Sequence, residues 1–102
     1  MSEMAERFGA NLLRCRRRVR LSQEEVGVRA SLHRTEVGLV EHGRRLPRIV
    51  TVVKLAAAVE AEIGELFEGI AWVPVDQRHG SFVTDSPPRS PMRRHPASRQ
   101  RL

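Results

Sequence analysis

The sequence predicts an all-α domain of five short helices, followed by a candidate β-hairpin and a basic tail. Three observations predict it. Apolar residues recur at three- and four-residue steps over most of positions 4–69, the spacing of a buried helix face. The breaks between these stretches carry helix start and stop residues, such as Ser22 before "QEE" and Gly43 after "LVEH". Beyond residue 70 the composition changes: five of the six prolines lie there, with six basic residues against two acidic ones.

The first helix is expected over Met4–Val19, where Ala5, Phe8, Leu12, Cys15 and Val19 form one apolar stripe. Arg14, Arg16, Arg17 and Arg18 gather in its last turns, where cations favour the negative helix end. The second helix opens on a capping box, with the Ser22 hydroxyl accepting from the Glu25 amide while Glu25 reaches back. Leu21 and Val26 stand at the staple positions, and Val26 and Ala30 face inward. Gly27 weakens this helix by about 1 kcal/mol relative to alanine, which suggests that another helix approaches closely.

The third helix is expected over His33–Glu41, closed by Gly43 in the left-handed conformation. "RRLP", 44–47, reads as a loop. Positions 48–62 are locally ambiguous, because Ile49, Val50, Val52 and Val53 also favour a strand. The spacing of Ile49, Val52, Val53, Ala56 and Val59, together with "KLAAAVEAE", predicts helix throughout. A fifth helix, about Ile63–Glu68, contributes Ile63, Leu66 and Phe67.

Composition narrows the function. The chain has 102 residues, room for one small domain. No apolar run approaches the roughly 20 residues of a membrane span, so a cytoplasmic location is expected. Cys15 is the only cysteine, which excludes an intramolecular disulfide; on the apolar stripe it reads as a small buried residue. His33, His42, His79 and His95 have no partner at metal-ligand spacing, so neither metal nor cofactor is expected. No nucleophile–base pair or phosphate loop points to an enzyme. Net charge is +6, and Lys54 is the only lysine among 18 basic residues. Arginine binds phosphate and guanine through a planar fork, which makes nucleic acid the first partner to consider. A GC-rich coding sequence produces the same bias.

Placed on a wheel of about 100° per residue, the third helix has two sides. Val37 and Val40 face inward, while Thr35, Gly38, Leu39 and His42 face outward. Arg34 and Glu41 lie at the flank of the buried stripe. A major groove admits such a helix: Arg34 can bond guanine, Thr35 a base edge or phosphate, and Leu39 a thymine methyl. Gly38 permits close backbone approach. A plain surface helix is the competing reading.

The capped short helix, the tight turn near Ser31 and the second helix with Val37 and Val40 inward have helix-turn-helix spacing. From Phe8 to about Gly69, "LSQEEVGVRA", "SLHRTEVGLVEHGRRLP", "VVKLAAAV" and "ELFEG" resemble the lambda-repressor-like, Cro/cI-type (XRE-type) helix-turn-helix family. The resemblance implies a DNA-binding domain over 4–69 that binds double-stranded DNA. It implies that Arg34, Thr35, Gly38 and Leu39 face bases, and that Gln23 meets a phosphate or a base edge. His42, Arg44 and Arg45 match positions that hold phosphates, and His33 stands beside them where a serine or threonine usually caps the helix. Arg16 and Glu41 match a family ion pair. Ser31 and Arg20 stand at common glycine positions, and the helix cap at His33 is expected to be weaker than a hydroxyl cap.

The resemblance thus implies a transcriptional regulator, expected as a homodimer on a palindromic operator in the nucleoid. The alternative is an antitoxin-like or other protein-interaction module on the same fold. Positions 70–84 bear on this, since Ile70, Trp72 and Phe82 can anchor two strands turning at "QRHG" and so dimerise the domain or cover a partner. Trp72 packed on the end of the fifth helix is the competing arrangement. The tail, 85–102, is expected to be disordered, with Arg89, Arg93, Arg94, Arg99 and Arg101 adding nonspecific attraction to DNA.

Overall fold

In the computed structural model, which describes residues 2–85, five helices precede a two-stranded antiparallel hairpin. They are α1 (Glu3–Arg18), α2 (Gln23–Ala30), α3 (Arg34–Glu41), α4 (Ile49–Ala58) and α5 (Ile63–Leu66), then β1 (Ile70–Pro74) and β2 (Gly80–Thr84). The tail beyond Asp85 lies outside the described residues.

Helix α1 starts one residue earlier than expected because the Ser2 hydroxyl accepts from the Ala5 amide at 3.0 Å. Ala5, Phe8, Leu12 and Cys15 are buried along it. The chain then passes through Arg20 at φ 61°, so the helix stops at Arg18 rather than Val19. Both bonds of the α2 capping box form, at 2.8 and 3.0 Å. The close neighbour of Gly27 is the following turn rather than another helix: a Cβ there would sit 2.6 Å from the Leu32 carbonyl oxygen.

One device closes α1, α2, α3 and α4. A residue at positive φ follows each, and the next amide reaches back five residues: Leu21 to Arg16, Leu32 to Gly27, Arg44 to Leu39 and Ala61 to Ala56. Only α3 uses glycine, Gly43 at φ 73°. Arg20, Ser31 and Glu60 hold the others, at a cost of about 1 kcal/mol each. This corrects the helix expected over 48–62: Glu60 at φ 58° cannot continue a right-handed helix, and α4 ends at Ala58. The buried face of α4 also differs. Val52, Leu55, Ala56 and Val59 join the core, while Ile49 and Val53 are exposed. In α5 only Leu66 is buried; Ile63 is exposed, and Phe67, which caps the helix, meets Phe8 edge-on at 5.2 Å.

Two buried polar side chains tie the end of the helical part to α1. Asn11 donates from Nδ2 to the Leu66 and Glu68 carbonyls, both at 2.9 Å, and its Oδ1 accepts from Arg14. Arg7 donates to the Glu68 carbonyl at 3.1 Å and the Asp85 carbonyl at 2.9 Å, with Asp85 Oδ1 3.2 Å from Nη2. These bonds satisfy groups that would otherwise be buried without partners, and they pin the base of the hairpin. In the hairpin Trp72 pairs with Phe82, their rings edge-to-face at 5.0 Å, and the Trp72 ring covers Gly80.

Candidate nucleic-acid interface

Val26, Ala30, Val37 and Val40 are buried in one core and set α2 and α3 against each other. Gly9 lets α1 cross α3 closely, since a side chain there would run into the Val40 and Glu41 carbonyls. Gly43 is required twice, by its positive φ and by Glu6, whose Cγ would lie 2.7 Å from a Cβ. The sequence thereby presents the outer face of α3 as a fixed surface.

That surface is an open groove of about 430 Å³ lined by Gln23, Arg34, Thr35, Gly38, Leu39, His42 and Arg44. Arg34, Thr35, His42 and Arg44 are exposed, whereas Gln23, Gly38 and Leu39 are half-buried. The groove offers a guanidinium fork, a hydroxyl, a carboxamide and an apolar side chain, the mixture that reads base edges. His42 Nδ1 lies 2.8 Å from the Gly38 carbonyl. A carbonyl only accepts, so Nδ1 carries the hydrogen and Nε2 is the nitrogen left for a ligand.

His33 and Arg45 do not line the groove. His33 is the N-cap of α3 and not its first residue; its Nδ1 accepts from the Thr35 amide at 3.0 Å, so the ring nitrogen replaces the usual hydroxyl. Arg45 pairs with Glu36 at 2.6 Å on the surface. Among the described residues, Arg34, Arg44 and Arg48 carry no salt bridge.

Arg16 and Glu41 form a two-pronged pair, Nε–Oε2 at 2.5 Å and Nη2–Oε1 at 3.0 Å, with the Glu41 side chain only 3% exposed. Donating these hydrogen bonds to Glu41 raises the Arg16 pKa above its ordinary value. Glu41 Oε1 also accepts from Gln23 Nε2 at 2.9 Å. Sequence reading missed this link. The available signal was the wheel position of Glu41 at the margin of the buried stripe, which leaves its carboxylate in reach of α2. Nor did the sequence show that Gly38 faces Gln23, whose Oε1 would be 3.5 Å from a Cβ at that position.

Elsewhere, Cys15 is buried as a free cysteine, and burial pushes its thiol above the ordinary pKa against the opposing effect of Arg18. Among the described residues no cluster of His, Cys, Asp and Glu can hold a metal ion, and no helix is long and apolar enough to cross a membrane.

The helix-turn-helix domain family matches residues 7–68. Over 64 residues the chain is 36% identical to an uncharacterized HTH-type transcriptional regulator, y4dJ, of Sinorhizobium fredii, covering 63% of this chain and 83% of that protein. Among solved structures it resembles the restriction-modification controller protein C.AhdI from Aeromonas hydrophila at 40% identity and a TM-score of 0.60. That match covers 62% of this chain and 96% of the other. It also resembles the hypothetical transcription factor NHTF from Neisseria at 28% identity and a TM-score of 0.60, over 64% and 75% of the two chains. The chain belongs to the helix-turn-helix domain family, among the transcriptional regulators of the Cro/cI (XRE) type.

Proposed function

We propose that the protein is a sequence-specific DNA-binding regulator that inserts α3 into the major groove and acts as a homodimer on a palindromic operator. The observation that carries this reading is the groove on α3, which gathers Gln23, Arg34, Thr35, Gly38 and Leu39 on one face beside the unpaired Arg44. Arg34, Thr35 and Leu39 meet base edges, and Gly38 lets the backbone approach. His42 and Arg44 hold phosphates, with His33 and, once released from Glu36, Arg45 at the margin. Residues 4–69 form the DNA-binding unit, acting at the nucleoid in the cytoplasm. Two half-sites would lie about 34 Å apart.

Selection of bound sites from random double-stranded DNA tests this. An enriched palindrome supports both the readout and the dimer; recovery of no preferred sequence sinks them.

A second reading, an antitoxin-like module with a protein partner, draws on the hairpin. Trp72, Val73, Phe82 and Val83 are all more than two-fifths exposed, an unusual density of bare apolar surface. The hairpin at 70–84 serves either the dimer or that partner. Deleting residues 70–102 and measuring mass in solution separates the two: loss of the dimer assigns the hairpin to self-association, whereas a persisting dimer leaves it to a partner. The tail arginines Arg89, Arg93, Arg94, Arg99 and Arg101 add electrostatic attraction, so removing residues 86–102 should flatten the salt dependence of binding.

A further inference from the structure

We propose that Glu41 is a positioning residue for DNA reading, because it fixes the order in which the Gln23 carboxamide presents its acceptor and its donor at the groove. The inference rests on the proposal that this surface meets base edges. Gln23 stands at the start of α2 and Glu41 at the end of α3, so the bond between them spans the two halves of the motif. Glu41 cannot turn away: both its oxygens accept from Arg16, and its side chain is almost fully buried.

The chemistry of this contact has one solution. An ionised carboxylate only accepts hydrogen bonds, so it is the amino group of Gln23, not the oxygen, that turns toward Glu41. A free glutamine adopts either orientation with equal ease. Here the Glu41 carboxylate selects one. The carboxamide then lies over Gly38 at the groove, its Oε1 and Nε2 at like distances, 3.5 and 3.6 Å, from a Cβ placed there, so that the acceptor and the second Nε2 hydrogen stand side by side in a fixed order.

A donor and an acceptor in fixed order complement the N7 acceptor and N6 donor of adenine. Guanine presents two acceptors there and cannot satisfy Oε1. The residue that maintains the α1–α3 ion pair therefore also sets the polarity of a reading group, without touching DNA.

The test compares sites selected from random DNA by the wild type, Gln23→Ala and Glu41→Gln. The wild type is expected to prefer adenine over guanine about tenfold or more at one position of each half-site. Gln23→Ala should remove that preference. Glu41→Gln should remove it too, because a carboxamide at 41 satisfies Gln23 in both orientations, while affinity for unrelated DNA stays within about twofold. Retained preference in Glu41→Gln overturns the proposal. So does a uniform loss of affinity across all sequences in Gln23→Ala, which would make Gln23 a phosphate contact. A wild type that enriches no sequence fails the base-reading proposal itself, a distinguishable result. Since Glu41→Gln also weakens a buried ion pair, the side-chain amide of Gln23 in the free wild-type protein supplies a second readout by NMR. One Nε2 proton shifted and protected from exchange supports the positioning; two protons at free-carboxamide shifts, both exchanging rapidly, overturn it.

Discussion

His33 caps the helix that carries the groove by accepting the Thr35 amide on its ring nitrogen at 3.0 Å. A neutral imidazole has one acceptor nitrogen, and here it is directed at an orphan amide of the first turn. Replacing it with alanine removes the acceptor. His33→Ala is expected to lower stability by about 1 kcal/mol, and His33→Ser to restore it. Chemical denaturation of the three proteins checks this; equal midpoints would show that the cap contributes nothing.

Gly38 separates stability from binding. A Cβ there would meet Gln23 at 3.5 Å or more, an ordinary contact, so alanine fits. Gly38→Ala should stabilise the protein by about 0.5–1 kcal/mol, as expected for a helix interior. The same methyl intrudes on the groove and should weaken operator binding. Thermal melts and a binding titration must move in opposite directions.

Arg34 is exposed and makes no salt bridge among the described residues, so the fold does not depend on its charge. Arg34→Ala is expected to lower discrimination between operator and unrelated DNA by about 1–3 kcal/mol per half-site. Its melting temperature should stay within about 2 °C, since surface substitutions cost little. Unchanged operator preference would remove Arg34 from the reading surface.

Asn11 supports the end of α5 from inside the protein. Asn11→Leu conserves volume but strips donors from the Leu66 and Glu68 carbonyls. A destabilisation of about 1–3 kcal/mol is expected, because the Leu66 carbonyl loses its buried donor. Because Arg7 still holds the Glu68 carbonyl, the hairpin should loosen before α1, which amide exchange at Ile70 and Thr84 would detect.

Acid should weaken one surface pair. Arg18 donates two hydrogen bonds to Glu65, at 2.9 and 3.1 Å, and this lowers the Glu65 pKa from its ordinary value of 4.5. A carboxylate with a depressed folded value adds stability that is present above the ordinary value and lost as pH falls through the folded one. Both side chains are more than a third exposed, so solvent limits the gain to at most about 1 kcal/mol. Wild type and Glu65→Gln should differ in stability at pH 6 and converge near pH 3.

Local signals were legible without any structure. The Ser22–Glu25 box, the stripe on α1 and the left-handed Gly43 depend on residues within a few positions of each other, and short-range geometry decides them. The helix over 48–62 misled because its composition favours helix through "AAAVEAE", whereas the left-handed turn at Glu60 is settled by how α4 must stop to bring α5 onto α1. For the same reason Ile49 reads as core on a wheel and stands bare in the fold.

What the sequence by itself determined was the order of the helices, the stretch that carries the helix-turn-helix motif and the outward side of α3, because hydrophobic period and caps are local properties. What only the tertiary structure decided was which polar groups meet across that order. Asn11 reaches carbonyls 55 and 57 residues away, and Gln23 meets Glu41 18 residues on. No period encodes such contacts. They follow from helices brought together by burial of Leu12, Val37, Leu55 and Leu66, after which each buried polar atom had to find a partner.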